Sequence, residues 1–165
     1  ELAGLITTGT ALYLGGVNGV NRSLVLAASR FMPTAPLIPT LGLEGLTRDQ
    51  AVQERYRDDP LVYFKALRVG MLAELIRAGR QAAALLPDLH LPYLALHGEA
   101  DPIALPAAAE TIRERCGATD LTVQIYADMR HELHNEIDHD GVLRDVVTWI
   151  EAHLDRSAPE PLEPS

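Results

Sequence analysis

The C-terminal half of the chain alternates short apolar runs with longer amphipathic ones, and this alternation restricts the fold more than any other feature. Apolar runs bounded by turn residues predict strands at Leu91–Leu96 and Leu121–Tyr126. Between them, a helix is predicted to open at Pro106 and to stop at Gly117. A last helix is predicted from about Gly141 to Leu154. Strand, helix, strand and helix in succession indicate a parallel sheet with crossover helices.

One apolar face is predicted for the last helix. Charged side chains fall elsewhere on it, and the residues that recur on this face at the helical period are Leu143, Val146, Val147, Ile150 and Leu154. The stretch that follows is rich in Pro, Glu and Ser, so residues 155–165 are interpreted as a disordered tail.

A further apolar run, Leu2–Thr8, predicts another core strand close to the beginning of the chain. The block that follows contains an apolar segment, a charged helix near Arg48–Arg57 and a second run at helical spacing, Leu67–Ile76, and no strand is predicted in it. The predicted organisation is a core strand in 1–11, a helical insertion in 12–86, an α/β core in 87–154 and the tail in 155–165.

The position of the first strand affects how the whole sheet is interpreted. Parallel sheets normally have both faces covered, and bare strand edges invite pairing with other chains. Because a strand is predicted from Leu2 onwards, we expect further strands of the same sheet upstream of Glu1.

Composition excludes several classes of function. The 14 Lys and Arg residues against 23 Asp and Glu give a net charge of −9, which disfavours a nucleic-acid partner because binding to phosphate backbones depends on cations. The apolar content of 47% is too high for a disordered chain. A single cysteine, Cys116, cannot form an intrachain disulfide, which fits a cytoplasmic location.

Two loops that directly follow predicted strands hold the residues most suited to chemistry. Asp101 lies just after the strand that ends near Leu96, and His131 lies just after the strand that ends at Tyr126. The carboxyl ends of parallel strands gather at one edge of a sheet, where ligands bind. A carboxylate behind an imidazole fixes the tautomer of the ring and stabilises the imidazolium when it takes a proton from a nucleophile.

Each loop also allows a different interpretation. The pair Asp101-Pro102 is typical of an ordinary turn, and a lone histidine is more often structural than catalytic. His131, His134 and His139, with the nearby Asp138 and Asp140, also suggest a metal site. Its spacing departs from His-Glu-x-x-His, because His134 follows His131 by three positions. No metal is therefore predicted.

Several segments together match one family in residue type and order: Thr47-Arg48-Asp49, Asp58-Asp59-Pro60-Leu61-Val62, Leu96-His97-Gly98-Glu99-Ala100-Asp101-Pro102, Tyr126 to His131, and Asn135-Glu136. They resemble the C-terminal part of α/β-hydrolases of the monoacylglycerol lipase and lysophospholipase type, bacterial forms above all. The resemblance covers roughly residues 1–154. It implies an α/β-hydrolase fold, a mostly parallel sheet with a helical cap inserted.

The resemblance also implies roles for individual residues. Asp101 matches the acid and His131 the base of a Ser-Asp-His triad, and Ile103 matches a position that lines the acyl pocket. Residues 12–86 correspond to a cap that admits a lipid ester and makes transient contact with membranes. The implied reaction is hydrolysis of a carboxylic ester, most simply a monoacylglycerol to fatty acid and glycerol, with no cofactor.

The nucleophile of such a triad is missing from the sequence. The serines of the chain are Ser23, Ser29, Ser157 and Ser165, and none lies in the Gly-x-Ser-x-Gly pattern of a nucleophile elbow. We therefore expect the nucleophile upstream of Glu1, and no turnover from these residues alone. The alternatives left open are a non-catalytic lipid- or partner-binding piece, and a lysophospholipase, general carboxylesterase or peptidase of the same superfamily.

Overall fold

A computed structural model of the chain describes residues 2–38, 42–63 and 66–154. The predicted tail at 155–165 lies outside the described residues. In chain order the elements are β1 (Leu5–Thr8), α1 (Gly19–Ala28), β2 (Pro36–Ile38), α2 (Leu43–Leu46), α3 (Gln50–Asp58), β3 (Leu67–Arg68), α4 (Val69–Leu85), β4 (Tyr93–Gly98), α5 (Ala107–Arg115), β5 (Leu121–Tyr126) and α6 (His139–Leu154).

The three predicted core strands form one parallel sheet in the order β1-β4-β5. Tyr93 at the start of β4 pairs with Leu5 on one side and with Leu121 on the other. All six residues of β4 are buried, as expected for the central strand. Within the described residues β1 pairs with β4 alone, so its other edge carries no strand there. The sheet prediction is confirmed, although β4 begins and ends two residues later than the predicted Leu91–Leu96.

Side chains of β4 alternate between the two faces of the sheet, and each face has its own core. Tyr93 and Ala95 pack with Ala108 and Ile112 of α5. On the opposite face, where the intervening residues of β4 point, the core is formed by Leu94, Leu96, Met129, Leu133 and Val142. Because side chains alternate along a strand, the single buried strand β4 contributes to the hydrophobic cores on both faces of the sheet.

Helix ends follow local sequence rules. Pro106 occupies the position before α5, and Cys116 follows its last residue, so the cysteine lies just beyond the helix and not inside it as predicted. The Asn18 side chain accepts hydrogen bonds from the first turn of α1, and Asp49 does the same for α3.

None of the described helices is long and apolar enough to cross a membrane.

Residues 12–86, the predicted insertion, are helical in large part where the structure describes them, but the prediction that they contain no strand is wrong. β2 and β3 pair antiparallel, with Pro36 opposite Arg68. These strands are three and two residues long, too short for alternation to be visible in the sequence. Their pairing is continued by the Val69 N–H, which donates to the Ala35 carbonyl at 3.0 Å. Beside this pair, α1 packs on α4 through Val25, Ala73 and Ile76.

The buried side of α6 also differs from the predicted one. Val142, Val146 and Trp149 pack against the sheet, whereas Leu143 and Val147 are 44% and 52% exposed. Apolar residues cover two adjacent stripes of this helix, and the helical period alone does not show which stripe meets the sheet.

Substitutions at buried and at exposed helix positions are expected to differ clearly in their effect on the free energy of unfolding. Ile112 is fully buried on α5, so Ile112→Ala is expected to lower the free energy of unfolding by about 2–5 kcal/mol through lost burial and a residual cavity. Met71 on α4 is 53% exposed, and Met71→Ala is expected to change it by about 0.5 kcal/mol or less. Urea titrations of both variants measure this, and equal losses would contradict the assignment of the core.

Candidate active site

Asp101 and His131 meet at the edge of the sheet where the parallel strands end. Asp101 follows β4 and His131 follows β5, and the His131 Nδ1 atom lies 2.8 Å from the Asp101 Oδ2 atom. The Asp101 side chain is fully buried, while that of His131 keeps 26% of its surface exposed. The sequence separates the two residues by 30 positions, and the strand ends bring them into direct contact.

The Asp101 carboxylate is surrounded by further donors. Its Oδ1 atom accepts the backbone N–H groups of Ile103 and Ala104 at 2.8 and 3.0 Å. The Nε2 atom of buried His97 lies 3.5 Å from Oδ2 and 2.9 Å from the Ala104 carbonyl oxygen. A carbonyl oxygen can only accept, so this nitrogen of His97 carries the proton. Sequence reasoning gave His97 no role, because its contact depends on how the loop folds back.

These donors decide the charge state of the pair. Burial alone raises the pKa of Asp101, but the hydrogen bonds from His131, His97 and the two backbone N–H groups outweigh it and hold the pKa well below its ordinary value. Asp101 is therefore an anion at neutral pH, and the Nδ1 atom of His131 donates to it. In the neutral imidazole the Nε2 atom is then left as the acceptor, which is the state needed for a general base.

Residues 13–15 run antiparallel to the Asp101 loop and form backbone hydrogen bonds with it. The Gly15 N–H donates to the Ile103 carbonyl, and the Leu105 N–H donates to the Tyr13 carbonyl, both at 2.8 Å. Between these two hydrogen bonds, Leu14 and Ala104 form an isolated antiparallel β-bridge. The first residues of the predicted insertion thus lie along the loop that carries the carboxylate.

Gly9, which directly follows β1, lets the His131 ring approach the sheet edge. Its φ is +56°, a left-handed conformation that glycine adopts readily. A Cβ atom at this position would lie 2.9 Å from the His131 Nδ1 atom and 3.0 Å from the His131 carbonyl oxygen. Any larger residue would therefore press on the imidazole.

Ile103, the predicted acyl-pocket residue, is 9% exposed and donates its backbone N–H to Asp101. Together with Gly45, Ala100, Pro102 and Arg130 it helps to line a cleft of about 460 Å³ beside the Asp101 loop. Contact of this side chain with an acyl chain stays a prediction.

The metal-site alternative finds no geometric support in the part of the chain that the structure describes. No group of three or more His, Cys, Asp or Glu side chains is arranged there to hold a metal ion. The His139 Nδ1 atom lies 2.7 Å from the Glu136 carbonyl, and the His131 Nδ1 atom is bound to Asp101.

Gly9→Ala tests the close approach of the ring, and Gly16→Ala is its matched control. Both positions have positive φ, so each substitution is expected to cost about 1–2 kcal/mol of backbone strain. Only Gly9 has the imidazole within contact distance, since a Cβ atom at Gly16 would meet nothing within 4 Å. We expect Gly9→Ala alone to displace the His131 ring, as measured by crystal structures of both variants. An undisturbed ring in Gly9→Ala would contradict this account.

The lowered pKa of Asp101 predicts a dependence of stability on pH. A folded-state pKa below the unfolded value of about 3.9 contributes stability that is present above about pH 4 and is lost as the pH falls further. In Asp101→Asn this contribution is absent. We therefore expect the unfolding free energy of Asp101→Asn to fall less steeply with acidification, by up to about 1.4 kcal/mol per pH unit. Urea titrations between about pH 5 and pH 2 check this, and parallel slopes would count against it.

Comparison with known proteins assigns the chain to a family. A family model described as "Serine aminopeptidase, S33" matches residues 1–138. The monoacylglycerol lipase of Mycolicibacterium smegmatis is 30% identical over 156 residues, which are 93% of this chain and 55% of that protein. The monoglyceride lipase of Mus musculus is 31% identical over 107 residues, 64% of this chain and 35% of that protein. The chain thus spans little more than half the length of the mycobacterial relative.

Solved structures share the fold. The monoacylglycerol lipase of Paleococcus ferrophilus superposes with a TM-score of 0.82 at 22% identity, covering 92% of this chain and 60% of that one. A soluble variant of the Saccharomyces cerevisiae monoglyceride lipase gives a TM-score of 0.77 at 21% identity, over 92% of this chain and 56% of that one. The predicted α/β-hydrolase fold and the resemblance to the monoacylglycerol lipase type are confirmed. This chain belongs to the α/β-hydrolase family described as serine aminopeptidase S33.

Proposed function

We propose that this chain supplies the acid and the base of a serine ester hydrolase. One observation carries the proposal: an anionic, fully buried Asp101 carboxylate lies 2.8 Å from the Nδ1 atom of a partly exposed His131. The carboxylate holds the imidazole in the tautomer that leaves Nε2 free to accept a proton. The family assignment, to a group of hydrolases, supports the same reading.

The proposed reaction takes its nucleophile from outside these 165 residues, as a serine on a Gly-x-Ser-x-Gly turn. Its hydroxyl oxygen attacks the ester carbonyl carbon while His131 Nε2 accepts the hydroxyl proton. Backbone N–H groups stabilise the resulting oxyanion. Collapse breaks the ester C–O bond, and His131 returns the proton to the leaving alcohol. Water, activated by His131 in the same way, then releases the carboxylic acid and restores the serine.

The described serines of this chain are poor substitutes for that nucleophile. Ser23 and Ser29 belong to α1 and its C-terminal cap, and their hydroxyls donate to the Gly19 and Leu26 carbonyls at 3.1 and 2.8 Å. Hydroxyls held within a helix in this way do not supply the strained strand-to-helix turn that exposes a catalytic serine.

A monoacylglycerol is the proposed substrate. The mycobacterial, mouse and human relatives that match this chain are named monoacylglycerol or monoglyceride lipases. The insertion presents apolar side chains suited to contact with lipid, since Val20, Leu24 and Phe31 are 76%, 65% and 80% exposed. With a net charge of −9, adsorption to an anionic membrane would depend on such apolar residues and not on attraction between charges.

Turnover by the full-length protein tests the proposal. His131→Ala and Asp101→Asn are each expected to lower kcat/KM for a monoacylglycerol ester by roughly three to four orders of magnitude, because each removes a member of the triad. His134→Ala is the matched control, since this exposed histidine lies three positions away and is expected to leave turnover within about twofold of the parent.

Two results would overturn the assignment. Near-parental turnover of both triad variants excludes the proposed roles, and the absence of a Gly-x-Ser-x-Gly serine from the full-length reading frame excludes the proposed nucleophile. Lysophospholipids and aminoacyl esters assayed in parallel decide the substrate class, because a preference for either would replace the monoacylglycerol.

A further inference from the structure

Glu136, five residues after His131, is a fully buried carboxylate that is not part of the Asp101–His131 pair. Its Oε1 atom accepts the backbone N–H of Arg130 at 2.8 Å and that of Arg48 at 3.3 Å. Its Oε2 atom accepts from the Arg48 Nε atom at 2.9 Å. A buried carboxylate is tolerated only when its oxygens are paired in this way.

These bonds fix the backbone on either side of His131. The bond from the Arg130 N–H to Glu136 closes a loop around the histidine, because the donor directly precedes the ring and the acceptor follows it. Within that loop, Leu133 is fully buried in the core under the sheet. The position of the Glu136 carboxylate therefore limits where the backbone of His131 can lie.

The other partner of Glu136 belongs to the insertion. Residues 46–48, at the C-terminal end of α2 and just beyond it, run beside the histidine loop: the Glu132 N–H donates to the Leu46 carbonyl at 2.8 Å, and the Thr47 hydroxyl donates to the Asn135 carbonyl at 2.6 Å. Arg48 completes this contact. Its hydrogen bond to Glu136 raises the pKa of the Arg48 guanidinium, and its side chain is 29% exposed.

α3 contacts the same loop at a second place. The Tyr56 hydroxyl donates to the Glu132 carboxylate at 2.7 Å, and the Asn135 side-chain amide donates to that carboxylate at 2.8 Å. Burial, aided by the bond to Glu132, raises the pKa of Tyr56, so this hydroxyl keeps its proton at neutral pH.

We propose that Glu136 and Arg48 are positioning residues, which hold the imidazole of His131 against Asp101 only while residues 46–48 of the insertion are docked on the histidine loop. The inference rests on the proposed function, because it assigns the pair a task in that same site. It makes the insertion part of the machinery that orders the base. A motion that draws Arg48 away would release the loop, and with it the His131–Asp101 hydrogen bond.

A general stabilising role for the ion pair is the competing explanation, and a local probe separates the two. The proton on His131 Nδ1 reports the bond to Asp101, and the proton on His97 Nε2, bonded to the Ala104 carbonyl, is an internal reference on strand β4. General destabilisation accelerates solvent exchange of both protons. Loss of positioning accelerates that of His131 alone.

Solvent exchange of these two protons is to be measured by NMR in the full-length protein and in Glu136→Gln, Arg48→Met and Arg48→Lys. Loss of one charge-assisted hydrogen bond is expected to accelerate exchange at His131 roughly tenfold in Glu136→Gln and in Arg48→Met. The rate at His97 is expected to stay unchanged. Arg77→Met is the matched control, because it removes an exposed ion pair with Glu74 on α4, and both rates should stay parental.

Parental exchange at His131 in the folded variants, or equal acceleration at both histidines, would overturn the proposal. If Glu136→Gln does not fold, Arg48→Lys decides, because it keeps the charge and removes the directional Nε–H bond to Glu136 together with the 3.5 Å contact of Nη2 with exposed Asp138: a parental rate at His131 counts against positioning. The measurement needs neither a substrate nor a nucleophile. A failure of the proposed hydrolase activity would appear in turnover and leave this readout intact.

Discussion

A buried negative charge at Asp101 is the constraint around which the rest of the site is arranged. Removing a carboxylate from water is costly unless its oxygens are occupied, and here both are. One oxygen takes two backbone N–H groups from its own loop, and the other takes the imidazole of His131, with His97 nearby. Satisfying the charge therefore fixes the loop conformation and the orientation of the ring at once.

Residues between β1 and β4 take part in the same arrangement. Residues 13–15 hold the loop of the carboxylate, and residues 46–48 hold the loop of the imidazole. The first contact is made by backbone groups, whereas the second combines one backbone bond with the Thr47 hydroxyl and the Arg48–Glu136 ion pair. The core supplies the two side chains, and the insertion completes the hydrogen bonding of the loops that carry them.

The parts of this structure that depend on local sequence pattern could be predicted from the sequence. Buried strands, the helices between them and the meeting of Asp101 with His131 follow from apolar periodicity and from the geometry of parallel strand ends. The roles of Gly9, His97 and Glu136 could not be predicted from the sequence, because each depends on contacts that the folded backbone creates. Glu136, for example, contacts Arg48, which lies 88 positions earlier in the chain. The face of α6 was misassigned for a related reason, since two apolar stripes compete and only the packed sheet selects one.

The spacing of the two anchor points has a consequence for how relatives of this chain diverge. Among the described residues of 16–38 and 66–85, none makes a backbone hydrogen bond to either of the two loops. Changes in the length and side-chain character of those stretches leave intact the backbone bonds that hold the loops of Asp101 and His131. The same pair of loops can thus be kept in proteins whose intervening stretches have little in common.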